Sequence, residues 1–307
     1  MGGGGEIPAP LRVVLDCDTA NEVDDQFAIA HALGSPEGTL DVRGVVSVHN
    51  TTAHGPLSRD LYQEEAERVV GLCGRSRDVP CVPGAPHPLE DRRTPVESEG
   101  LEFLVEEARR GPLTIFATGP ATDVASLLLA APEVRENLRI VWLGGFGDRE
   151  SYERHKMGGE LNGRADIAAW RVLFEEPVGM LQVPGWSGPH GILVEASSYA
   201  EELRALGRPV ADYLAQILVE WVSSYIGEID PRGEKIVWDV SCVAAVADPG
   251  ALRVEELAVP ALDAAGAHDF SEGSRGRTVE AVTGLDPQRI LASVRDALLR
   301  HPASPGA

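Results

Sequence analysis

A chain of 307 residues with 27 Lys and Arg against 48 Asp and Glu carries a formal net charge of −21, which disfavours nonspecific attraction to nucleic acid or to an anionic membrane face. Hydrophobic residues at 43% and charged residues at 24% match folded globular proteins and exclude global disorder. No apolar run approaches the roughly 20 residues needed to cross a bilayer, and the start, MGGGGEIPAP, lacks the basic and apolar regions of a signal peptide, so the expectation is a soluble cytoplasmic protein.

Leu11 to Cys17 (LRVVLDC) reads as a strand, and Asp24 to Leu33 (DDQFAIAHAL) carries apolar positions at helical spacing. The alternation returns in VRGVVSVHN then LSRDLYQEEAERVVGLCG, in VESEGLEFLVEEARRG then PLTIFATG, and in ATDVASLLLAA then LRIVWLGG. RADIAAWRVLFEE and VGMLQVP follow, helices dominate from Ser197 to about Val246, and RTVEAVTG and DPQRILASVRDALLRH close the chain. Apolar strands alternating with amphipathic helices predict a single α/β domain, residues 11–300, with a mostly parallel, Rossmann-like sheet covered on both faces. Residues 1–10 and 301–307 are expected to be tails. The four cysteines, Cys17, Cys73, Cys81 and Cys242, match no zinc or CxxC spacing. Only two lysines occur, Lys156 and Lys235.

In such a sheet, ligands bind beyond the carboxyl ends of the strands. The densest chemical signal lies there. LDCDTANEVDDQFAIAHAL places Asp16, Asp18, Glu22, Asp24 and Asp25 across ten residues directly after the first strand. Like charges so close raise one another's pKa, and a hard divalent cation with oxygen ligands relieves them. Alternation puts Asp16 and Asp18 on one side of the strand, while Asp24 and Asp25 open the next helix, where the macrodipole favours anions.

LDCDTANEVDD resembles the N-terminal aspartate signature of the nucleoside hydrolases of the inosine-uridine preferring type. HNTT (Asn50), FATGPATDVASLLLAAPEV (Thr118), GGELNGRADIAAWRVLFEE (Glu160, Asn162, Asp166) and VWDVSCVAAVADP (Asp239) follow in the family's order, so the likeness spans roughly residues 11 to 300. It implies the nucleoside hydrolase fold and a site where Asp18, Asp25, Asp239 and the Thr118 carbonyl hold Ca²⁺. It also implies that Asp18 is the general base, and that Asp24, Asn50, Glu160, Asn162 and Asp239 hydrogen-bond the sugar. The substrate would be a ribonucleoside or related N-riboside, and the family likeness suggests a homodimer or homotetramer. The chemistry agrees: cleaving an N-glycosidic bond passes through an oxocarbenium-like sugar, whose positive charge a ring of carboxylates stabilises.

The chain departs from the family pattern in places. Five residues separate Asp18 from the aspartate pair where better-known members have three. Trp238 stands where many members carry the histidine that protonates the leaving base, VESEGL lacks another family histidine, and Arg154 replaces an asparagine. Trp238 could stack on a base or be structural. The proton donor stays open among His49, His54, His155, His190, Tyr225 and Glu228. Several residues also have plain structural readings: Asp239 and Asp166 as helix caps, Thr118 as a strand terminus, Glu160 and Asn162 as a polar turn. VVLDCD also resembles the nucleophile motif of haloacid-dehalogenase-like phosphatases, with Asp16 as nucleophile, but no lysine precedes a suitable late acidic pair. A third reading is a calcium-dependent ribose-binding protein without catalysis.

Overall fold

The computed structural model of the chain describes residues 9–155, 160–185, 192–226, 233–271 and 276–303. Its strands are β1 (Leu11–Cys17), β2 (Leu40–Ser47), β3 (Cys81–Pro83), β4 (Leu113–Ala117), β5 (Leu138–Leu143), β6 (Gly179–Val183), β7 (Leu193–Glu195), β8 (Glu234–Ile236), β9 (Leu252–Ala258), β10 (Ala261–Leu262), β11 (His268–Asp269) and β12 (Thr278–Leu285). Eight of them form one sheet in the order β3-β2-β1-β4-β5-β6-β12-β9. Every neighbouring pair is parallel except β12 and β9. The expected single α/β domain with a mostly parallel sheet is therefore the observed one. Among the described residues no helix is long and apolar enough to cross a membrane.

Alternation along β1 divides the core between the two sheet faces. Val13, Leu15 and Cys17 join a cluster that includes helix Asp24–Leu33, whereas Val14 joins Val46, Ile115, Ala117 and Trp142 on the other face. Asp16 shares the parity of Val14. It is fully buried between its partners Val46 and Ala117.

The chain winds outward from β1 through β2 to β3, then returns to place β4 on the other side of β1. The crevice between the carboxyl ends of β1 and β4 is thus the switch point where open α/β sheets bind ligands. Elements of the late chain differ from the sequence reading. The stretch expected to be helical from Ser197 to Val246 holds helices Ala196–Arg204, Pro209–Trp221 and Val240–Ala247, but strand β8 interrupts it and pairs with β7. The antiparallel edge strand β9 and the small β10–β11 ladder were not anticipated. Their residues mix charge with apolar character and show no buried run of the kind that marks a central parallel strand.

Candidate active site at the switch point

Beyond β1 the chain turns through Asp18–Asn21, with the Asn21 N–H donating to the Asp18 carbonyl at 2.8 Å. Ala20 takes a φ of 84° there, a left-handed conformation that costs an L-residue with a Cβ. The helix then starts at Asp24, with Asp24 and Asp25 in its first turn and no side-chain cap at Val23. From β4, the Thr118 N–H donates to the Asp16 carbonyl at 2.9 Å. The following Gly119 runs so close to Asp18 that a Cβ there would lie 3.0 Å from the Asp18 nitrogen. A side chain there would press on Asp18 and on Val48, and glycine lets the two loops meet without that crowding.

The acidic residues of distant segments converge at this meeting point. Asp18 is held by Asn50, whose Nδ2 donates to Asp18 Oδ2 at 2.7 Å. Thr118 Oγ1 donates to Asp25 Oδ1 at 2.7 Å. Asp24 Oδ2 accepts the Trp238 N–H at 3.0 Å, which ties the front of the first helix to the segment before Asp239. Asp239 precedes helix Val240–Ala247 but makes no side-chain cap. The helix-cap reading of this residue is thereby set aside, and its buried carboxylate lies where Asp24, Asp25 and Asp18 all repel its charge.

Burial raises Asp18 to about 7 and pushes Asp25 and Asp239 well above the ordinary carboxylate range, with mutual repulsion adding to it. Asp16 is raised by burial and by Asp123, and neither of its oxygens has a hydrogen-bond partner among the described residues. Asp24 is raised by burial, although the Lys235 cation opposes the shift. Lys235 is itself pulled down by burial, but Asp24 and Glu22 outweigh that and hold its ammonium above the usual lysine range.

The donor set is one of hard oxygens: the Asp18, Asp25 and Asp239 carboxylates and the Thr118 carbonyl. Crowded, dehydrated carboxylates of this kind fit a hard divalent cation. As the side chains stand, Asn50 engages Asp18 and Thr118 engages Asp25, and among the described residues no three His, Cys, Asp or Glu side chains are spaced to enclose a metal ion.

The residues expected to meet a sugar sit on an adjoining scaffold. Asn162 Nδ2 donates to the Thr118 carbonyl at 2.7 Å and to the Leu143 carbonyl at 2.9 Å. Both amide hydrogens are spent, which leaves Oδ1 as an acceptor. Glu160 accepts the Gly145 N–H at 3.0 Å and the Arg164 N–H at 3.1 Å, which places it beyond β5 without a direct bond to the aspartate group. Trp238 is partly buried. Asp166 caps helix Ile167–Glu175 by accepting the Ala169 N–H at 2.9 Å, as its capping reading expects.

Two arrangements were missed in the sequence. His49 is wholly buried, and its Nε2 lies 2.9 Å from Thr122 Oγ1, which donates to Asp166 Oδ2 at 2.7 Å; that oxygen also accepts the Leu89 N–H. A histidine so engaged braces the loops behind Asn50. The second is Lys235, buried among carboxylates. Its sole sequence signal was the rarity of lysine. Of the other proton-donor candidates, His54 Nδ1 lies 2.7 Å from the Tyr62 hydroxyl. His190, Glu228 and the Tyr225 side chain lie outside the described residues.

The model of the inosine-uridine preferring nucleoside hydrolase family matches residues 13–295. The chain is similar to a pyrimidine-specific ribonucleoside hydrolase, RihA, of Citrobacter koseri, with 30% identity over 233 residues that cover 68% of this chain and 70% of that protein. Among solved structures it superposes on a purine-preferring ribonucleoside hydrolase from Gardnerella vaginalis, with a TM-score of 0.69 and 20% identity over 94% of this chain and 98% of the other. A plant nucleoside hydrolase aligns with a TM-score of 0.72 and 21% identity over 94% and 99%. These structural likenesses establish a shared fold.

Proposed function

Given that this chain belongs to the inosine-uridine preferring nucleoside hydrolase family and is a nucleosidase that cleaves the N-glycosidic bond of ribonucleosides, we propose that it acts with Ca²⁺ held by Asp18, Asp25, Asp239 and the Thr118 carbonyl. The observation that carries this reading is the convergence of three buried carboxylates, Asp18 and Asp25 from the stretch after β1 and Asp239 from late in the chain, with Thr118 at the end of β4, at the switch point of the sheet. When bound, the ion supplies Lewis acidity that orients the ribose diol and acidifies the attacking water.

The chain's own residues do the rest. Asp18, steadied by Asn50, serves as general base and takes the proton of the water. Asp24, Asn50, Glu160, Asn162 and Asp239 hydrogen-bond the sugar hydroxyls, Asn162 through the acceptor left when its amide hydrogens brace Thr118 and Leu143. Charge develops on the sugar as the base departs, and the surrounding carboxylates oppose it with fixed negative charge that needs no reorganisation. Trp238 offers a flat face to the departing base. A ring of anions repels a phosphate dianion, which favours an unphosphorylated nucleoside over a nucleotide. The same likeness leads us to propose a homodimer or homotetramer.

The test is ribose release from a panel of purine, pyrimidine and modified ribosides, with and without Ca²⁺. Release is expected to stop on chelation and in Asp18→Ala, by at least about 10²-fold for loss of a general base, with the circular dichroism spectrum unchanged. Full turnover by Asp18→Ala would remove the general-base assignment. Riboside binding without release would instead favour the ribose-binding reading.

A further inference from the structure

Lys235 stands at the centre of the three-residue strand β8, paired with Val194 of β7. Its side chain is 2% exposed, and Nζ lies 2.5 Å from Glu22 Oε2 and 3.4 Å from Asp24 Oδ1. The ammonium also sits 4.8 Å over the Trp221 ring, a cation–π contact. The other Asp24 oxygen accepts the Trp238 N–H. Asp24 is thus gripped at both oxygens by one short segment, Lys235 to Trp238, which runs directly into Asp239.

A buried ammonium is costly unless paired, and here the partners are carboxylates that are themselves costly to bury. The Asp24 charge raises the carboxyls of Asp18, Asp25 and Asp239, and Glu22 raises that of Asp24. Lys235 is the cation set against burial and the Glu22 charge at Asp24. A carboxylate reads a sugar hydroxyl only if it is held in place as an acceptor.

We infer that Lys235 is a positioning residue for sugar recognition: by bridging Glu22 and Asp24 it fixes the Asp24 carboxylate against a ribose hydroxyl, and so sets the preference for ribosides over deoxyribosides. The inference rests on the reading of Asp24 as a sugar ligand. It predicts that Lys235 acts through a single hydroxyl and not through general stability.

The experiment measures kcat and KM for inosine and uridine and for their 2′-deoxy and 3′-deoxy analogues, in the wild type, Lys235→Met, Lys235→Arg, Asp24→Asn and the double variant Glu22→Gln/Lys235→Met. Lys235→Met is expected to lower kcat/KM for the ribonucleosides about ten- to hundredfold, the worth of a hydrogen bond to a charged group. The analogue that lacks the hydroxyl read by Asp24 should change by less than about twofold. Lys235→Arg should retain most of the discrimination. The double variant, relieved of an unpaired Glu22 but not of an unpaired Asp24, should recover part of the melting temperature without recovering the discrimination. The thermal shift produced by ribose, compared with 2-deoxyribose and 3-deoxyribose, should shrink in parallel.

Equal losses on all substrates, or an unchanged ribo-to-deoxy ratio in folded Lys235→Met, would overturn the positioning role. A wild-type preference that Asp24→Asn leaves intact would remove the reading of Asp24 on which it rests, and a wild type inactive on every riboside would remove the nucleosidase reading itself. The three failures are therefore distinguishable.

Discussion

At the scale of single residues the site is built by backbone conformations that side chains oppose. Ala20, at φ 84°, lies between Asp18 and the helix that carries Asp24 and Asp25. Ala20→Gly should relieve about 1 kcal/mol of that strain, raising the denaturation midpoint in urea while loosening the loop and raising KM. A lower midpoint would show that the turn is not strained. Gly163 follows Asn162, and a Cβ there would fall 2.0 Å from the ring of Trp170, which is fully buried. Neither Trp170 nor the short helix Asn162–Ala165 has room to yield. Gly163→Ala should cost about 1–3 kcal/mol by overpacking and displace Asn162 from the Thr118 carbonyl. Denaturant unfolding together with KM for a ribonucleoside would report both effects, and a neutral result in both would contradict the packing.

At the scale of elements, helix Asp24–Leu33 serves two ends. Its first turn carries two carboxylates of the candidate site, and all ten residues are buried, so the positions of Asp24 and Asp25 follow from how the whole helix packs. Near its far end His31 Nε2 lies 3.0 Å from Ser293 Oγ of helix Pro287–Leu299. Burial pushes the His31 imidazole down to about 4 from an ordinary 6.5. The unfolded chain therefore takes up a proton near pH 6.5 that the folded chain refuses until about 4. This group contributes nothing above pH 6.5, and stability falls as the pH drops through the window between 6.5 and 4, by about 1.4 kcal/mol per pH unit. His31→Gln should remove that slope: its stability relative to wild type should improve by about 2 kcal/mol between pH 7.5 and pH 5. A constant difference between the two proteins across the range would show that His31 does not titrate in this way.

At the scale of the whole molecule, the reversal between β1 and β4 gathers Asp18, Asp24, Asp25, Thr118 and Asp239, which are up to 221 residues apart in the chain. Concentrating acids in a protein of net charge −21 makes the folded state self-repulsive. A cation bound only by the native state should offset that. Ca²⁺ in hundredfold excess over its dissociation constant should add about 2.7 kcal/mol of stability, read as a rise in melting temperature that a chelator reverses and Asp25→Ala abolishes. No dependence of the melting temperature on Ca²⁺ would count against the proposed ion. Light scattering after size exclusion should give a dimer or tetramer.

Much of this was legible in the residues alone, for a physical reason. Strands buried on both faces must be continuously apolar, so β1, β2, β4, β5 and β6 stand out, and carboxylates that crowd a strand end have no cheap structural excuse, so Asp18, Asp24 and Asp25 stand out with them. Edge and half-exposed elements such as β8, β9 and the β10–β11 pair obey no such constraint and stayed hidden. Only the tertiary structure could decide what depends on proximity between distant segments: that Asp239 joins the aspartates and does not cap its helix, that His49 turns to Thr122 and Asp166, and that Lys235 reaches Glu22 and Asp24. Pattern and composition report how each segment meets water. Which charges meet one another is set by the order in which the strands are laid into the sheet.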